Sequence, residues 1–133
     1  MSGLLLLRAS GYTENAIAMQ TSSLDQFLKI LRELQKINPE FPLQYAVCLA
    51  HISMNEGLSL TSLSEKTGLA ISTVSRIVGA LSIQRQKGAG FGLVKVDISP
   101  SERRRKELYL TLRGREVISS ISGMLEENRR IVA

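Results

Sequence analysis

Apolar residues recur along this 133-residue chain at two spacings, and the switch between them separates helices from a single hairpin. Ser23 and Gln26 make a capping-box pattern just ahead of Leu24, Phe27, Leu28, Leu31 and Leu34, which share one helical face. A helix is therefore predicted to open at Ser23 and to stop before the breaker cluster Asn38, Pro39, Glu40, Phe41, Pro42. Pro42 suits the first turn of a second helix, where its missing N–H costs nothing. That helix carries Tyr45, Cys48, Leu49 and Ile52 on one face and is expected to end near Gly57.

The stretch Leu58 to Leu81 reads as a short helix, a tight turn and a second helix. Leu58 fits a one-rung strand. Ser59 and Thr61 are both candidate caps for the short helix, and Gly68 supplies the positive φ of the turn. Val74, Ile77, Val78 and Leu81 keep the spacing of a buried helical face. Ser72, Thr73, Ser75 and Arg76 are left on the outer face near the start, where a DNA-reading helix carries its base contacts. Residues 82–92 are glycine-rich and expected to be mobile, either lengthening the helix or forming a loop. Leu93 to Ile98 and Glu107 to Leu112 alternate with period two, a hairpin whose tip holds Arg103, Arg104, Arg105 and Lys106. Thr111 is then placed to cap a last helix with Val117, Ile118, Ile121, Met124 and Leu125 in one stripe.

Charge sharpens this picture. Nine basic and four acidic residues between Arg85 and Glu116 account for the whole formal net charge of +5, and the rest of the chain is neutral. A basic strip beside a candidate recognition helix suggests a phosphate-contacting surface. With no Trp and 5% aromatic residues, a platform of stacked bases is not expected. One cysteine excludes an internal disulfide and fits a reducing compartment. Leu4–Leu7 is too short a run for a membrane span, and no Lys or Arg precedes it as in a signal peptide. It is expected to dock on its own domain or on a partner, and the protein is expected to be soluble and cytoplasmic.

Three pieces of sequence, in order, resemble the MarR family of winged helix-turn-helix transcriptional regulators. Leu63, Gly68-Leu69 and Ser72-Thr73-Val74-Ser75-Arg76 resemble its helix-turn-helix. Leu93-Val94 resembles the start of its wing. Glu102-Arg103-Arg104, Leu108-Tyr109-Leu110-Thr111 and Gly114 resemble its wing tip, second strand and final cap. The resemblance covers about Ser23 to Leu125. The chain departs from the family at Ala70, Ile71, Gly79, Ala80 and Glu102, and its link from Leu81 to Leu93 is longer. These departures bear on the DNA footprint more than on the fold. The resemblance implies a mainly α fold with a small β-hairpin: an N-terminal arm at 1–20, then a winged helix-turn-helix domain at 21–133 with dimerisation helices at 22–37 and 112–130. It further implies a homodimer, and a small-molecule effector in the cleft between the dimer helices and the DNA-binding domain, for which no convergent polar set stands out in the sequence.

The expected function is sequence-specific binding of double-stranded DNA for transcriptional control, with a homodimeric repressor reading a pseudo-palindrome. Ser72, Thr73, Ser75 and Arg76 are the candidate base readers. Arg103, Arg104, Arg105 and Lys106 are the candidate phosphate or minor-groove contacts, joined by Arg85 and Lys87 from the glycine-rich segment. A solvated helix face and a solvated turn are the plain alternatives. Two other classes stay open: an architectural winged-helix protein of a mobile element, and a protein- or ligand-binding dimer that has lost DNA binding. Cys48 and His51 are one turn apart, but two ligands do not make a metal site. Gly88-Ala89-Gly90-Phe91-Gly92 lacks the spacing and the strand-before-helix order of a nucleotide loop. With a single histidine and no carboxylate pair in a recognisable setting, neither an enzyme, a metal nor a cofactor is expected.

Overall fold

A computed structural model describes residues 14–83, 90–102 and 105–132 of the chain. Among these, five helices and one hairpin follow in order: α1 (Glu14–Ile37), α2 (Leu43–Met54), α3 (Leu60–Thr67), α4 (Ile71–Leu81), β1 (Val94–Ile98), β2 (Lys106–Leu110) and α5 (Leu112–Val132). The run Leu4–Leu7 lies outside the described residues.

Helix α1 corrects one expectation. It begins at Glu14, within the segment read as an arm, and passes through Ser23 without a break. Nothing between Asn15 and Ser22 is a Gly or Pro, so the Ser-Ser pair that imitates a cap continues a helix already under way. Pro42 is the residue preceding α2, extended at φ −66° and ψ 140°. Helix α2 ends at Met54, a turn before Gly57, because Asn55 leaves the helical region at φ −140° and ψ 58°.

Between Ser59 and Leu81 local chemistry dictates the helix pair. Ser59 is the cap of α3: its hydroxyl accepts the Ser62 N–H at 3.1 Å. Gly68 ends α3 at φ 75°, a left-handed conformation costly for other residues. The turn is fixed by hydroxyls, with Ser64 Oγ donating to the Leu69 carbonyl at 2.6 Å and Thr67 Oγ1 accepting the Leu69 N–H at 3.3 Å.

The core lies beneath this pair. Cys48, Leu49 and Ile52 of α2, Leu63 of α3, and Val74, Ile77, Val78 and Leu81 of α4 meet Leu93, Val94, Leu108 and Leu110 of the hairpin. Strands β1 and β2 pair antiparallel, from Val94 opposite Leu110 to Ile98 opposite Lys106. Each is one residue shorter than its alternation predicts: the Leu93 N–H is taken by the Leu81 carbonyl at 2.8 Å and Leu112 already begins the last helix, although the Thr111 N–H still reaches across the hairpin to the Leu93 carbonyl at 3.0 Å. The one-rung strand expected at Leu58 falls one residue on, at Ser59 opposite Glu107, with the Leu58 carbonyl accepting the Leu108 N–H at 3.0 Å. On the other edge Ser82 bridges Val94. Phe91 anchors the return of the long link, its ring 5.4 Å from Phe41 and 6.2 Å from Tyr45.

Helices α1 and α5 pack mainly on each other, pinned by a Gln26 side chain that donates to the Met124 carbonyl at 2.6 Å. Thr111 caps α5 by accepting the Gly114 N–H at 3.1 Å, and its hydroxyl donates to the Gly92 carbonyl at 2.6 Å. Gly114 allows α5 to start hard against the hairpin; a Cβ there would collide with the Leu93 carbonyl.

Candidate nucleic-acid interface

Helix α4 buries Val74, Ile77, Val78, Ala80 and Leu81 and presents Ser72, Ser75 and Arg76 to solvent. Thr73 differs from its expected place: it sits half-buried on the flank. Ile71, at the first helical position, is 51% exposed, an apolar group on an otherwise polar edge. Ala70 occupies the cap position and offers no side-chain acceptor to the first turn.

The hairpin stands beside this helix pair. A cleft of about 590 Å³ separates the start of α3, with Ser59, Thr61 and Ser62, from Arg105 and Lys106 of the wing, and Ile71 closes one end. Glu65 and Glu102 also face the cleft, so it is of mixed charge. Thr61 and Ser62 were not among the expected site residues. Position on the first turn of α3 was their only signal, and it places them opposite the wing once the hairpin folds back.

The basic strip divides in two. Lys95 pairs with Asp97 at 3.5 Å, Arg113 donates to the Phe91 carbonyl at 2.9 Å, and Arg115 grips Glu56 with both terminal nitrogens at 2.8 Å. Of these, Arg113 and Arg115 tie α5 to the rest of the fold, while Lys95 stays in an exposed pair on its own strand. Among the described residues no carboxylate pairs with Arg76 of α4 or with Arg105 and Lys106 of the wing, all of them exposed. Arg85, Lys87, Arg103 and Arg104 lie outside the described residues.

Glu56 accepts the Leu110 N–H at 2.9 Å in addition to Arg115. That backbone bond above all holds its carboxyl below the ordinary carboxylate range; burial opposes it, and the Arg115 guanidinium adds to the lowering. Cys48 is fully buried and unpaired, and burial pushes its thiol up, away from the reactive thiolate. No group of three or more His, Cys, Asp or Glu is arranged to hold a metal among the described residues. None of the described helices is long and apolar enough to cross a membrane.

A helix-turn-helix with an antiparallel hairpin beside its second helix is a winged helix-turn-helix. No family model matches the chain, and no curated protein matches it. Solved structures do. The chain is similar to MarR at 22% identity, covering 90% of this chain and 81% of that one with a TM-score of 0.57. It is similar to MepR of S. aureus in a DNA complex at 15% identity, covering 86% and 87% with a TM-score of 0.68. It is also similar to the PcaV transcriptional regulator of Streptomyces coelicolor in complex with its natural ligand, at 18% identity, covering 90% and 77% with a TM-score of 0.55. The fold of this chain is thus the winged helix-turn-helix of these MarR-type structures.

Proposed function

We propose that this protein is a MarR-type transcriptional regulator that binds double-stranded DNA as a homodimer, and that it is not an enzyme. The observation that carries this reading is the exposed, unpaired set Arg76, Arg105 and Lys106: Arg76 shares its helical face with Ser72 and Ser75, and Lys106 of the wing lines a groove with Ser75. Helix α4 lies in the major groove, where Arg76 reads a guanine and the serines add hydroxyl contacts. The wing supplies phosphate affinity through Arg105 and Lys106, extended by Arg103 and Arg104 and, from the long link, by Arg85 and Lys87.

Leu24, Phe27, Leu28 and Leu31 of α1 and Leu125 of α5 form an exposed apolar surface that a second copy covers. A two-fold axis there sets the recognition helices about 34 Å apart, one turn of DNA, and the site read is a pseudo-palindrome. Repression by occupancy of that site, in the cytoplasm and relieved by a small-molecule effector, completes the reading. The ligand named for PcaV supports the effector.

The test is selection of a binding site from random duplex, followed by affinity measurements on that site and on random DNA. Arg76→Ala is expected to lose about 1–3 kcal/mol of discrimination at one position of each half-site. Lys106→Ala should weaken all duplexes alike and flatten the log–log salt slope by about 0.9. A steep salt slope with no preferred site would replace the regulator by an architectural role, and absence of binding would overturn both.

A further inference from the structure

Helix α4 carries a half-buried glycine near the end of the face it turns outward. Gly79 lies three residues after Arg76, four after Ser75 and seven after Ser72, the spacings that stack side chains on one helical face. Nothing among the described residues requires glycine there. Its φ is not positive, and an added Cβ would meet no atom within 4 Å. A glycine inside a helix weakens it relative to alanine, so α4 gives up stability where the fold gains nothing.

The space beside it explains the sacrifice. Gly79, Ser75 and Val78 of α4, Leu60 of α3, and Val96 and Lys106 of the wing enclose a groove of about 140 Å³. A duplex that takes α4 in its major groove and the wing in the adjoining minor groove must lead one sugar–phosphate strand between them, because that strand is what separates the two grooves. Lys106, without a carboxylate partner among the described residues, stands at the groove as the counter-charge to a phosphate.

We propose that the bare surface at Gly79 is the seat of that sugar–phosphate strand, letting it settle between α4 and the wing more closely than any side chain would allow. This rests on the duplex-DNA reading above and adds a residue that positions the DNA without reading bases. Since every sequence has the same backbone, the seat contributes equally to all duplexes.

The experiment compares wild type, Gly79→Ala, Gly79→Leu and Arg76→Ala by melting temperature and by affinity for the selected site and for random duplex. Gly79→Ala should melt roughly 3–6 °C higher, from better helix propensity, and bind both DNAs more weakly. Gly79→Leu, which fills the groove, should lose roughly tenfold or more on both, the size of a steric misfit. Arg76→Ala should lose mainly on the selected site. If wild type and Arg76→Ala behave as the DNA reading requires while both Gly79 variants bind like wild type, the seat is wrong and the reading stands. A Gly79→Leu loss confined to the selected site would likewise overturn the seat, by placing Gly79 against bases. Should wild type bind no duplex, both fall. Gly79→Ala, for which there is open room, keeps the comparison decisive if leucine disturbs folding.

Discussion

One carboxylate joins three parts of the molecule. Glu56, just past α2, accepts the β2 N–H of Leu110 and the Arg115 guanidinium of α5. Its partners are 54 and 59 positions away, so no local pattern marks it. Its folded-state ionisation is depressed, so the stability it adds is present above the unfolded carboxylate value and is lost as pH falls through the folded one. Urea midpoints of wild type should therefore fall below about pH 5 more steeply than those of Glu56→Gln, which should start lower at pH 7. Parallel curves for the two proteins would remove Glu56 from this role. Gly68 is the opposite case, since its place after a capped helix and before a second apolar stripe announces a positive φ in the sequence itself.

At the scale of elements, Thr111 ends one and begins another. Its hydroxyl accepts from Gly114 and donates to Gly92, tying α5 to the return of the long link. Thr111→Ala should cost about 1–2 kcal/mol by thermal or urea unfolding, the sum of a lost cap and a neutral hydrogen bond, and Thr111→Ser should recover most of it. Equal stability of Thr111→Ala and wild type would show that water replaces both bonds. The cap was legible because the alternation of β2 gives way to helical spacing at that residue. The start of α1 was not: Ser22 and Ser23 look like a boundary, but the helix passes through them because no Gly or Pro stands between Asn15 and Ser22 to stop it.

For the whole molecule, the proposed homodimer rests on the unburied apolar surface of α1. Phe27 is 56% exposed and Leu28 45%, on a helix whose neighbour within the subunit is α5. Leu28→Glu should yield a monomer by sedimentation at micromolar concentration, with helix content retained. It should also lower affinity for a full pseudo-palindrome toward that for a half-site, because the second recognition helix is no longer held on the same DNA. A Leu28→Glu protein that stays dimeric would move the interface elsewhere. The sequence by itself determined where the helix-turn-helix and hairpin fall, since periodicity, caps and turns are properties of neighbouring residues. It also determined that one strip holds the excess charge. Lys95 pairs with Asp97 inside its own strand, but tertiary structure alone decided that Arg113 and Arg115 reach Phe91 and Glu56, and that Gly79 faces a groove against the wing. Those outcomes depend on residues far apart in the chain meeting across a core, and local spacing carries no record of such meetings.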